Sequence, residues 1–181
     1  MRRRAVLLGL LLGGCERMSI EEVAQLPPSL DRGAGDPARF AAESAAHTFL
    51  DRARELAGNP REAAFAAAMV ENAATSFQHA GRFADGPWVT RLLREGRTAL
   101  RQAIGLDLSA SPQAAQDALL AAAAAFARND AVGAAAALAP VAARNARPAE
   151  ALSRLETPPP LRRALRALRN MLAERDPAAA S

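Results

Sequence analysis

The chain has 181 residues, a formal net charge of +4 and one cysteine, and it contains neither lysine nor tyrosine. This length suits one domain better than two, and a lone cysteine excludes an internal disulfide. Three of the 23 basic residues fall within residues 1–14, which hold no acidic residue, so 20 arginines face 19 acidic residues in the rest of the chain. Without a concentrated basic surface, nucleic acid is not an expected partner.

The first residues follow the pattern of a secretion signal. Arginines at positions 2–4 precede the apolar stretch Ala5–Leu12, as an n-region precedes an h-region. As a helix, this stretch would span about 12 Å, much less than the roughly 30 Å of a bilayer's hydrocarbon core, so it does not predict a membrane span. The tandem arginines leave open whether export follows the general secretory or the twin-arginine route.

The next residues, Leu12-Gly13-Gly14-Cys15, resemble the lipobox of bacterial lipoproteins. The resemblance is confined to the N-terminus and implies nothing about the domain that follows. It implies cleavage after Gly14 and lipidation of Cys15, which then becomes the N-terminus and holds the protein on a membrane through acyl chains such as palmitate. We therefore expect a lipid-anchored protein that faces the periplasm of a Gram-negative cell envelope, on either the inner or the outer membrane.

Between Cys15 and the domain, the sequence predicts a flexible tether. Capping-box spacing predicts a short helix over Ser19–Leu26, Pro27-Pro28 ends it, and residues 29–35 have the composition of a linker. The predicted divisions are the signal peptide (1–14), the acylated tether (15–35), the helical domain (36–175) and a disordered tail (176–181).

From Asp36 onward, caps and breakers divide the chain into segments whose apolar residues recur at helical spacing. A capping residue followed by proline marks helix starts at Asp36-Pro37, Asn59-Pro60 and Ser111-Pro112. No segment alternates apolar and polar residues as a strand would. The predicted fold is therefore all-α, an alanine-rich antiparallel bundle or array of six to seven helices. The predicted segments are 36–58, 59–81, 87–105, 111–128, 130–140, 148–156 and 160–175.

The sequence contains no recognisable catalytic or metal-binding pattern. No serine stands in a Gly-x-Ser-x-Gly setting, and no glycine-rich phosphate loop follows a strand. His47 and His79 are predicted on neighbouring helices about 13 Å apart, too far to share a metal. Glu43 and His47 lie one turn apart and Glu71 is predicted nearby, which we interpret as a polar cluster rather than an acid–base group. We expect no cofactor, no metal and no enzymatic activity.

Two surface features are candidates for partner recognition. Phe83 and Trp88 stand beside turn residues, and exposed rings there would anchor a partner protein. We expect them instead to fold inward and join the second predicted helix to the third. The last helix carries a basic face beside its leucine stripe, which we expect to be solvated, although anionic lipid or an acidic partner would also fit it. The members of that face are Arg162, Arg163, Arg166 and Arg169.

These observations leave two hypotheses for function. The first is an envelope lipoprotein whose non-catalytic helical domain docks or scaffolds another envelope protein. The second is a helical bundle that binds a lipid or another apolar small molecule. A contiguous exposed apolar patch would favour the first, and an enclosed apolar cavity of about a few hundred Å³ would favour the second.

Overall fold

Proline begins seven of the eight α-helices in the computed structural model, which describes residues 21–31, 35–79 and 87–175. Proline suits the first helical position because its fixed φ matches the helix and its missing N–H would be unpaired there anyway. No strand occurs among the described residues, which confirms the all-α prediction. The helices are α1 (Pro28–Asp31), α2 (Pro37–Ala46), α3 (Pro60–His79), α4 (Pro87–Ile104), α5 (Pro112–Ala127), α6 (Ala131–Leu138), α7 (Pro148–Leu152) and α8 (Pro159–Glu174).

The predicted caps are present where the residues are described. The side chain of Asp36 accepts a hydrogen bond from the backbone N–H of Arg39 at 3.3 Å, and Ser111 accepts one from Ala114 at 3.2 Å. At the other end, Gly105 ends α4 with a φ of 74°, a left-handed conformation that glycine adopts without strain. Local chemistry therefore sets most helix boundaries.

The first predicted helix, 36–58, is wrong as a continuous α-helix. The α-helix ends at Ala46, the π-helical turn His47–Asp51 follows, and a 3₁₀ turn completes the segment. This π turn buries Thr48 and Phe49, and the backbone oxygen of Phe49 accepts a hydrogen bond from the Thr157 hydroxyl at 2.9 Å. A contact with a residue more than 100 positions away in the sequence therefore accompanies the local change of helix type.

The central element of the bundle is α3, which packs against α2, α4, α5 and α7. Its residues from Ala63 to Thr75 are all buried except Phe65, which is partly buried. A helix that is buried on every side needs small residues so that several neighbours can approach it. The alanines of α3 supply this, while the leucines of α4, α5 and α8 fill the space around them.

The tether prediction is wrong for residues 21–31. Residues 21–27 have no regular secondary structure where a helix was predicted, and α1 forms one short turn in the predicted linker. The backbone of Ala24 forms hydrogen bonds with side chains of α3 rather than with neighbouring residues in a helix. Ala24 is also only 1% exposed. The described domain therefore includes this segment, and its helix count rises to eight because of α1.

Candidate docking surfaces

Residues 21–27, which we call the N-terminal strap, are held by side chains that recognise its main chain. The N–H of Ala24 donates to Thr75 Oγ1 at 3.1 Å, and Asn72 Nδ2 donates to the Ala24 carbonyl. One residue further, the N–H of Gln25 donates to Gln113 Oε1 at 2.6 Å, and Gln116 donates to the Gln25 carbonyl, also at 2.6 Å. The strap is therefore bonded to both α3 and α5.

Four charged side chains form a polar network where the strap begins. One lies on the strap, one on α3 and two on α4, and they are Glu21, Glu71, Arg97 and Arg101. Glu71 is 1% exposed, and its carboxylate accepts two hydrogen bonds from Arg101, at 2.7 and 2.8 Å. Arg97 Nη2 donates to both carboxylate oxygens of Glu21, at 2.8 and 2.7 Å, while its Nε lies 3.9 Å from Glu71. The network therefore joins the strap, α3 and α4 in a single cluster of two anions and two cations.

The charged states of this network favour one another. Burial raises the pKa of Glu21, but the hydrogen bonds and charge of Arg97 outweigh it and leave that pKa below its usual value. Burial lowers the pKa of Arg101, yet the Glu71 carboxylate outweighs this effect and raises it overall. Arg101 also donates to the Ala110 carbonyl at 2.8 Å, which fixes the loop between α4 and α5. All four charged side chains of the network therefore help to hold the strap, α3, α4 and the following loop together.

A separate cavity of about 320 Å³ lies between α2 with its π turn and the C-terminal half of α8, and we call it the α2–α8 groove. It is open to solvent on one side. Alanine and leucine side chains line its floor, and charged side chains border it. The lining residues are Arg39, Ala42, Glu43, Ala46, His47, Asp51, Leu168, Arg169, Leu172 and Ala173.

The charged border of the α2–α8 groove is made of exposed ion pairs. Arg169 bonds Asp51 through two contacts of 2.9 Å, and this hydrogen bonding lowers the pKa of Asp51. Arg39 pairs with Glu43 at 2.7 Å, and His47 Nδ1 lies 3.6 Å from Asp51. Alanine and leucine side chains beside these ion pairs suit binding of an apolar surface with a charged margin.

The predicted proximity of Glu71 to Glu43 and His47 is wrong. His47 and Glu43 are exposed at the α2–α8 groove, whereas Glu71 is buried and bonded to Arg101. The buried position of Glu71 could have been recognised from the small and apolar residues on both sides of it in α3. Among the described residues, no group of three or more metal-binding side chains is close enough to hold an ion.

The structure does not bring the predicted partner-binding residues together in a single site. Trp88 is 52% exposed, so the expectation that it folds inward is wrong. The four arginines of the basic face are all exposed on α8, but Arg163 lies 3.6 Å from Glu95 and Arg169 pairs with Asp51, so acidic residues partly neutralise that face. Phe83, Gly14 and Cys15 lie outside the described residues.

No family model matches the chain, and searches of curated proteins and of solved structures find no similar protein. None of the described helices combines the length and the apolar character needed to cross a membrane.

Proposed function

We propose that this chain is a cell-envelope lipoprotein whose helical domain docks another envelope protein through the α2–α8 groove. Acyl chains on Cys15, exposed by cleavage after Gly14, anchor it on the periplasmic side of a membrane. The observation that carries the docking proposal is the groove itself, which exposes alanine and leucine side chains beside one row of charged residues on α2 and its π turn, with Arg169 on the α8 side. An amphipathic helix matches this arrangement, because its apolar face would cover the floor while its flanking charges meet the border.

The α2–α8 groove favours a protein segment over a small apolar molecule. A site for a small molecule is usually a concavity that buries most of the ligand's surface. This groove is open on one side, and its border residues Arg39, Glu43, Asp51 and Arg169 are hydrophilic. The alternative function, binding of a lipid or another apolar molecule, would use the same floor without needing these charges.

The anchor is tested by replacing Cys15 with serine. Because acylation needs the thiol, we expect the wild-type protein to incorporate a radiolabelled fatty acid in cells and Cys15→Ser to incorporate none. The variant should also keep its signal peptide, which a mass measurement detects. Label retained in Cys15→Ser would contradict the anchor without bearing on the groove.

The docking surface is tested by Ala173→Arg. Ala173 is an exposed residue of the groove, so an arginine there should obstruct the site while leaving the core intact. We expect in-cell crosslinking of the acylated protein to give a defined adduct with one envelope protein, and Ala173→Arg to reduce its yield about tenfold, which corresponds to roughly 1.4 kcal/mol of binding free energy.

The matched control is Ala136→Arg, which adds the same side chain at an exposed position of α6. It should leave the adduct unchanged. An adduct that is equally strong in both variants would exclude the groove as the docking site. A defined lipid or metabolite that copurifies with the wild type and is lost only in Ala173→Arg, with no protein adduct, would establish the alternative function.

A further inference from the structure

The strap runs antiparallel to α3, and this fixes the end of the bundle at which the strap begins. Gln78, near the end of α3, lies close enough to Glu21 to lower the pKa of its carboxyl, while Ala24 is bonded to Asn72 and Thr75. Further along, Leu30 borders a cavity with Phe65, near the start of α3. The strap therefore begins at the end of the bundle where α3 finishes.

The N-terminus of α4 lies at this same end. Glu71 is bonded to Arg101, whereas Glu21, which also meets Gln78, is bonded to Arg97. As α3 advances, its neighbours on α4 therefore come earlier in the chain, so the two helices are antiparallel. Trp88 stands nine residues before Arg97, which places it about 13 Å further towards this end. We call this end, marked by Gln78 and Trp88, the exit end.

Only a short length of chain separates the exit end from the anchor. Cys15 and Glu21 are six residues apart, and six residues span at most about 20 Å even when fully extended. The 20 residues of α3 make the bundle roughly 30 Å long. A membrane attached at Cys15 is therefore within reach of the exit end, while the opposite end cannot face it end-on without releasing the strap.

The side chains at the exit end suit a lipid surface. Trp88 is one of three large apolar side chains that are exposed in the described part of the chain. Tryptophan is enriched at membrane interfaces, where its ring enters the headgroup layer and its N–H stays hydrogen-bonded. Arg91 is three residues further along α4, on the same face; its Nε lies 3.8 Å from Glu95, but its side chain is 74% exposed and can meet lipid phosphates.

We propose that the exit end of the bundle rests on the lipid surface, with Trp88 inserted at the headgroup level and the strap holding the domain in that orientation. This inference depends on the proposed acylation of Cys15. It assigns Trp88 to the membrane rather than to a protein partner, and it leaves the α2–α8 groove to bind the partner.

Trp88 is the only tryptophan of the chain and so reports its own environment. The full-length acylated protein is reconstituted into vesicles of phosphatidylethanolamine and phosphatidylglycerol, with and without a brominated phospholipid. Transfer of the indole from water to the interface should shift its emission to the blue by about 10 nm, and the brominated lipid should quench it roughly twofold. A vesicle flotation assay on the same sample measures whether the protein is anchored.

The matched control moves the single tryptophan to the opposite end. In Trp88→Phe/Val132→Trp, the new ring occupies the start of α6, where Val132 is 81% exposed. This site is distal, because the C-terminal half of α5 lies beside Arg61 and Phe65 and α6 follows directly. We expect this variant to float with the vesicles while its emission stays unquenched by brominated lipid.

Three results would overturn the inference. Wild-type protein that floats while Trp88 remains unquenched would exclude the orientation and leave the anchor intact. Equal quenching at positions 88 and 132 would show that the domain has no preferred orientation. Protein that does not float would exclude both the anchor and the orientation that depends on it.

Discussion

Replacing Glu71 with glutamine is expected to lower the free energy of unfolding by about 3–5 kcal/mol, the usual cost of removing one partner from a buried ion pair. Glutamine keeps the shape of the side chain but removes its charge, so Arg101 remains 3% exposed without an anionic partner. Arg97 would retain only Glu21, and its Nη1 already has no hydrogen-bond partner among the described residues. Chemical unfolding followed by far-ultraviolet circular dichroism measures this change.

The matched control for this variant is Glu43→Gln, which also breaks an Arg–Glu pair on a helix. Glu43 and Arg39 are 2.7 Å apart, but their side chains are 57% and 42% exposed. Water and salt screen such a pair, so its loss should cost less than about 0.5 kcal/mol. Similar losses of stability in the two variants would show that Glu71 is not buried between the two arginines.

Replacing Gly96 with valine is expected to destabilise the protein by about 2–3 kcal/mol, since overpacking a tight contact outweighs the gain in helix propensity. A Cβ atom at Gly96 would lie 3.0 Å from the Cα of Leu161 and 3.1 Å from the Cβ of Ala164. The backbone of α8 would have to move away from α4. Thermal unfolding measures the loss, and faster amide exchange in α8 would locate it.

Ala103→Val is the control for this variant, because Ala103 is an exposed residue of the same helix. This variant adds a valine without filling a contact between helices. Its free energy of unfolding should fall only by the difference in helix propensity between alanine and valine, about 0.6 kcal/mol. If Gly96→Val were as stable as Ala103→Val, the close approach of α4 and α8 would be wrong.

Most helix starts could be predicted because neighbouring residues determine them. A cap such as Ser111 bonds a backbone group three residues away, and the proline after it acts through its own φ. Gly105 likewise ends α4 by its own conformational freedom. Each of these signals is complete within a few residues, so the sequence shows it directly.

The strap and the polar network could not be predicted in the same way, because their partners are distant in the sequence. The apolar neighbours of Glu71 in α3 indicate that it is buried, but its pairing with Arg101 exists only once α3 and α4 pack together. Capping-box spacing predicts a short helix where most of the strap lies, and only the side chains of α3 and α5 give its backbone a binding site. The π turn had no local signal either, since its distinctive bond comes from Thr157.

The exposure of the Trp88 side chain could not be predicted from the sequence either. Its neighbours on α4 predict an amphipathic helix, and an aromatic ring beside a turn usually packs inward. The ring lies at the tip of the bundle instead, where the described neighbouring helices leave it 52% exposed. The α2–α8 groove was equally hidden, because it depends on how closely two helices approach rather than on the residues of either one.

The sequence separations within the strap have a consequence for the order of folding. Its hydrogen bonds join residues 51, 88 and 91 positions apart, and contacts of such long range form slowly because the intervening chain must first be closed into a loop. We therefore expect the strap to join last, after α3 and α5 have packed together and their side chains have formed its binding site.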